Sequence, residues 1–256
     1  MNYMKKLLKP SKNLIKRRND NLEYSYRVEH RQVKYPRIEF KAMNELLVIL
    51  PFDTHNELEF LHKKQSWIFK KLERINKALK LVRDYQEHIQ DKILFIGKFY
   101  DLIELKGKNS IELENNFIKI TTPTGTLSIK FLKNWLKIKL KQIITSFLDR
   151  YSKELGIPYN KEKVIIRLQQ TKWASCTSKQ YLNFNLKLIM LPPELIEYIT
   201  LHELVHLKQK KHNEPFWKKI STYFPDYAEK EMLLLGFWFL TEENKLFKII
   251  KKLKNI

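Results

Sequence analysis

His202-Glu203-Leu204-Val205-His206 sets two imidazoles four positions apart. On a helix that spacing is one turn, so both rings face one side and each can give a nitrogen to the same ion. Glu203 sits about 100° round from His202. It can reach a water beside that ion but is angled away from the ion itself. Leu204 and Val205 turn inward and anchor the helix. Zinc accepts two imidazoles and a third protein ligand, and it leaves one position open for water. The acidity of such a water rises toward neutral pH, and Glu203 can take its proton as general base. The bland alternative is two surface histidines with a helical ion pair, a pattern that arises by chance. Against it stand apolar helical flanks, and three of the chain's seven histidines, His202, His206 and His212, within eleven residues.

His212 is the natural third ligand. A continuous helix would carry it about 9 Å beyond His206 and about 120° round. The chain must therefore leave the helix after Leu207 and turn back. Lys208, Lys210 and Lys211 suit a helix C-terminus, where exposed carbonyls attract cations. Asn213 can cap a new helix with Glu214-Pro215 in its first turn. Phe216, Trp217 and Ile220 would pack that helix down, and Pro225 would close it. The rival third ligand is a later carboxylate, Glu229 or Glu231.

The elements that must position these groups follow from periodicity. Pro192-Pro193-Glu194 opens the helix carrying His202, with Leu195, Ile196, Ile199 and Leu201 as packing positions. Upstream, residues 164–168 and 181–189 read as strands, separated by a polar turn-like stretch at 170–179. Leu132, Leu136, Ile143, Phe147 and Tyr151 mark a long helix that Gly156 and Pro158 stop. Residues 92–122 are short apolar runs split by Gly97, Gly107 and Asn115-Asn116, and Pro123-Thr124-Gly125 is the strongest breaker. Further upstream, residues 24–28, 37–40 and 45–50 read as strands. They precede a helix with Leu58, Leu61, Ile68, Leu72 and Ile75 on one face. The expected organisation is a basic N-terminal arm (1–20), which a short amphipathic helix would equally suit. A β-rich subdomain with one long helix (21–125), a catalytic core (126–240) and a basic amphipathic tail (241–256) follow it. The fold class is α+β.

Residues 169–217 resemble the YgjP-like metallopeptidases (the DUF45 group), relatives of the SprT-like and WLM zincins. The resemblance is carried by Thr171-Lys172-Trp173-Ala174-Ser175-Cys176-Thr177-Ser178-Lys179, Asn183-Phe184-Asn185, Pro192-Pro193-Glu194, the five residues from His202 to His206 with Leu207, and His212-Asn213-Glu214-Pro215-Phe216-Trp217. It implies a zincin-like catalytic core with His202, His206 and His212 holding one zinc ion and Glu203 as catalytic acid and base. The family's usual TRWGSC block has Lys172 for arginine and Ala174 for glycine here. Lysine keeps the charge and loses the bidentate fork. The ligand spacing equals that of the metzincins, but Gln209 stands where they have a helix-breaking glycine, so the chain is not assigned to them. By the same resemblance, the strand at 181–189, which contains Asn183, is an edge that holds an extended peptide; the plain alternative is a core strand. Lys172, Tyr223 and Tyr227 each qualify to stabilise the oxyanion; Trp173 is a packing residue or a stacking surface for substrate. Cys176 reads as a small packing residue.

Composition sets the remaining bounds. One cysteine excludes an intramolecular disulfide framework and CxxC zinc clusters. The longest apolar run, residues 232–240, is nine long and interrupted by Gly236, too short to span a membrane. No signal-peptide pattern opens the chain, so a cytoplasmic location is the expectation. The net charge is +21, a field that favours polyanions. The basic residues are 40 lysines and only 9 arginines, which reads more as lysine bias than as phosphate recognition. The expected function is a zinc metallopeptidase acting on a protein or peptide substrate. The alternative is a nucleic-acid-associated binding protein, or a protease of proteins linked to DNA.

Overall fold

The computed structural model describes residues 12–15, 24–42, 44–54 and 56–252, the first four by backbone alone. The chain divides into two compact units, with the boundary between Lys80 and Leu81.

In the first unit, β1 (Lys12–Ile15), β2 (Tyr24–His30), β3 (Arg37–Ala42) and β4 (Glu45–Leu50) form one sheet in the order β1-β2-β4-β3. β2 and β4 are parallel; the other pairs are antiparallel. β4 is central, and its Leu46 to Leu50 are all buried, as a strand paired on both sides requires. α1 (Glu57–Leu81) lays Leu61, Ile68 and Leu72 against Tyr24, Tyr26, Leu46, Val48 and Leu50. The basic N-terminal segment is neither arm nor helix where it is described: Lys12–Ile15 pairs with β2 as a strand. Its other residues lie outside the described ones.

The second unit opens with β5 (Ile93–Phe95), β6 (Lys98–Lys106), β7 (Ser110–Glu114) and β8 (Phe117–Thr122), in the order β5-β6-β8-β7. α2 (Ile129–Leu155) starts at Ser128, whose hydroxyl accepts from the Phe131 amide. It stops at Gly156, whose φ of 60° is the left-handed cap that glycine adopts freely. β9 (Val164–Arg167), β10 (Ala174–Cys176) and β11 (Leu182–Asn185) form a three-stranded sheet in the order β10-β11-β9. α3 (Pro193–Val205), α4 (Glu214–Tyr223), α5 (Tyr227–Glu243) and α6 (Lys245–Lys251) follow. The expected basic tail does not begin at 241, because α5 continues to Glu243; α6 follows it, and residues 253–256 lie outside the described ones.

Two expectations change here. The strand expected at 181–189 stops at Asn185, and Leu186–Met190 is a 3₁₀ turn. The Asn185 side chain accepts from the Lys187 amide and curls the backbone out of the sheet. β11 is also the central strand, with β10 antiparallel on one side and β9 parallel on the other. Its backbone groups are already paired, so neither it nor Asn183 within it offers an edge to a peptide. The edges are β9 and β10, the latter in the stretch expected to be a polar turn.

The turn between β5 and β6 fixes where α3 begins. The Ile96 amide donates to the Ile189 carbonyl at 2.7 Å, and Gly97 donates to Met190 at 3.3 Å. Gly97 has φ of 72°, and a Cβ there would meet the Pro192 Cα at 2.8 Å. Only glycine permits that backbone and that approach together. The segment launching α3 is thus seated on a hairpin, and α3 itself is buried along most of its length.

Candidate metal centre

α3 ends at Val205, two residues before the expected exit, and His206 is its C-terminal cap. The amides of Leu207 and Lys208 donate to Leu204 and Val205, tightening the last turn into i to i+3 bonds. Positive φ among non-glycine described residues occurs only at Ile96, Asn115 and Gln180. Gln209 therefore reverses the chain with ordinary backbone angles, and no glycine is required at that position. Asn213 occupies the N-cap position of α4 without a side-chain capping hydrogen bond, with Glu214 and Pro215 in the first turn.

This reversal brings the three imidazoles together. The Nε2 atoms of His202 and His206 are 3.2 Å apart, those of His206 and His212 are 3.0 Å apart, and those of His212 and His202 are 2.9 Å apart. His206 Nδ1 lies 2.9 Å from the Gln209 carbonyl. A carbonyl only accepts, so Nδ1 carries the proton and Nε2 turns a lone pair toward the other two rings. Burial first, then the neighbouring His206 and His212, pulls the pKa of His202 down to about 3. Burial likewise lowers that of His206, against the opposing Gln209 hydrogen bond. Phe216, fully buried, lies against all three rings, stacked on His206 and edge-on to the other two.

Glu203 is buried at 6% exposure, and its Oε2 has no hydrogen-bond partner among the described residues. Burial pushes its pKa up to about 8; the backbone amide of Cys176 on β10 and the Lys172 charge oppose that. A buried carboxylate with an unfilled acceptor is expensive unless another molecule uses it.

The sequence of residues 34–235 matches the family described as YgjP-like, metallopeptidase domain. The chain belongs to the YgjP-like metallopeptidase family. Its function is therefore that of a metal-dependent peptidase. The crystal structure of the metallopeptidase zymogen of Methanocaldococcus jannaschii jannalysin is 26% identical, over 50% of this chain and 99% of that one, with a TM-score of 0.27. No curated protein matches. None of the described helices in this YgjP-like chain is long and apolar enough to cross a membrane.

The donor set fits the ion a YgjP-like metallopeptidase needs. Tetrahedral ligands about 2.0–2.1 Å from a zinc ion lie about 3.3 Å from one another, and the three Nε2 spacings are close to that. His202, His206 and His212 form the only such group of metal-binding side chains among the described residues. The rival carboxylates stand apart: Glu231 accepts from the Tyr198 hydroxyl at 2.6 Å, and Glu229 is exposed in the first turn of α5.

The remaining expected residues fall in different places. Lys172 is exposed, with its charge acting on Glu203. The Trp173 indole N–H donates to the Leu234 carbonyl at 3.2 Å and its ring meets Trp238 edge-on, so Trp173 packs. Asn183 is 5% exposed, its amide directed to the Tyr181 carbonyl. Tyr223 meets Tyr151 edge-on, with centroids 5.0 Å apart, and Tyr227 is stacked on Trp217. Two contributors to the site and one buried structural lysine were missed. The Cys176 amide faces Glu203 because β10 runs beside α3. Asn185, fully buried, bonds the carbonyls of Gln169 and Lys172 and the amide of Gln169, holding the loop that carries Lys172. Lys187 is buried between aromatic rings. Polar letters inside the apolar run at 182–191 were the available signal for the last two.

Proposed function

We propose that this chain is a zinc-dependent peptidase with a zincin-like core in residues 126–240, in which His202, His206 and His212 hold one ion and Glu203 moves the proton. What carries the reading is the convergence of three imidazole nitrogens at 2.9 to 3.2 Å beside a buried carboxylate with an unfilled acceptor. Zinc bound there supplies Lewis acidity, polarising a peptide carbonyl and making a water more acidic. Glu203 accepts the proton of the attacking water at its unpartnered oxygen and returns it to the leaving amine. Its burial excludes bulk water, so that proton goes to the substrate and not to solvent. The outer edge of β10 presents the backbone groups that an extended peptide can pair with. Lys172, beside Glu203, supports the negative charge that develops on the substrate carbonyl oxygen.

The test is hydrolysis of a peptide library by zinc-loaded full chain, wild type against Glu203→Gln. Cleavage by the wild type and none above background by the variant is the expected result. Equal cleavage by both removes Glu203 from the reaction.

A further inference from the structure

The third ligand is held differently from the first two. His202 and His206 are fixed by α3 and its C-terminal turn. His212 is exposed, and the backbone of residues 210–212 makes no hydrogen bond among the described residues. A histidine on such a segment would sample several rotamers, and ordering it would weaken metal binding. The ring is nevertheless aimed. Its plane lies 25° from that of the Trp217 indole, with centroids 5.6 Å apart. That indole is itself stacked on Tyr227, 4.8 Å away and 21° from parallel. The Trp217 amide donates to the Asn213 carbonyl at 3.1 Å, so the indole is anchored one residue from the ligand it braces. Tyr227 belongs to α5, whose Leu234 and Phe237 are buried. The stack therefore runs from a packed helix, through a ring on α4, to the exposed ligand.

We propose that Trp217, backed by Tyr227, is a positioning residue for the metal site: the stacked rings fix the plane of His212 and so the direction of its Nε2 before any ion arrives. The proposal rests on the three-histidine reading above. Offset-stacked rings gain from dispersion and from complementary ring charge. The hydroxyl of Tyr227 has no part in this role; its ring does.

Zinc affinity of the full-length protein, measured by chelator competition, tests this without reference to activity. Trp217→Leu is expected to weaken zinc binding about tenfold or more, the range seen for groups that orient a ligand, and Trp217→Phe to recover most of it. Tyr227→Leu weakens binding less than Trp217→Leu does, and Tyr227→Phe binds as wild type. In a His212→Ala background, Trp217→Leu changes affinity no further, because the ligand it positions is gone. A general loosening of the fold would instead weaken both backgrounds alike and overturn the proposal. So would Trp217→Leu binding zinc within twofold of wild type, or Tyr227→Phe falling as far as Tyr227→Leu. His202→Ala separates the two levels. If it binds zinc as wild type does, the three-histidine reading fails. If it loses zinc while Trp217→Leu keeps it, only the positioning role fails.

Discussion

Two buried ionisable side chains lie among the described residues of the second unit, and they are treated in opposite ways. Lys187 has a side chain 1% exposed. Its Nζ bonds the Trp238 carbonyl at 3.1 Å and Glu242 at 2.7 Å. It also lies 3.9 Å from the centre of the Trp238 ring, with Trp173 and Phe247 close by. Its needs are met from within the fold. Glu203 is almost as buried, yet one of its oxygens is left without a partner, and beside it three imidazoles present nitrogens to one another. Burial is common to both; satisfaction is not. A charge whose partners are all supplied by the chain serves the structure. A buried carboxyl group with an oxygen left unpartnered marks where something else must enter.

The largest effect should come from the unsatisfied member. Glu203→Gln is expected to reduce peptide hydrolysis by about 10³-fold, within the range for a general acid–base group, and to shift folding stability by no more than about 1 kcal/mol. A variant that lost stability and kept activity would reverse the contrast. Asn185→Ala, from the satisfied set, should do the opposite. It strands the carbonyls of Gln169 and Lys172 and the amides of Gln169 and Lys187. Denaturant unfolding should register a loss of about 3 kcal/mol for so many bonds. Zinc stoichiometry should stay as in wild type.

The smallest effect is a pH dependence. Burial pulls the pKa of Lys187 from 10.5 down to about 8, with Glu242 opposing. As pH rises past about 8, the folded protein releases this proton while the unfolded chain keeps it up to about 10.5. The unfolded state then binds more protons, so stability rises with pH across that window. The gain is lost again as pH falls through about 8. Lys187→Met should lack this rise. The difference between wild type and variant, read by urea unfolding at pH 7.5 to 10.5, should therefore increase with pH, while hydrolysis per folded molecule stays within about threefold. A flat difference would mean the lysine is not enclosed as described.

What could be read from the sequence follows the same physics. α1, α2 and α3 have apolar residues at helical spacing, and their limits came out within a few residues. The approach of His202 to His206 was legible because residues four apart on a helix share a face, wherever the helix lies. β10 was not legible: three residues in a polar stretch become a strand only through pairing with β11. The apolar run at 182–191 carried no period, so a strand and a 3₁₀ turn looked alike. α5 was hidden for a related reason, being apolar on most sides. The role of Trp217 depends on the angle between rings, which no spacing reveals. The absence of glycine at 209 looked like a departure from the metzincin pattern. It is accommodated because the helix ends by tightening its last turn, with no left-handed residue.

The most direct test is metal content after exhaustive dialysis against metal-free buffer, for wild type, Glu203→Gln and His206→Ala. One zinc ion per chain in the first two and none in the third is the predicted result. An ion retained by His206→Ala at full stoichiometry, or none in the wild type even after zinc loading, would contradict the account.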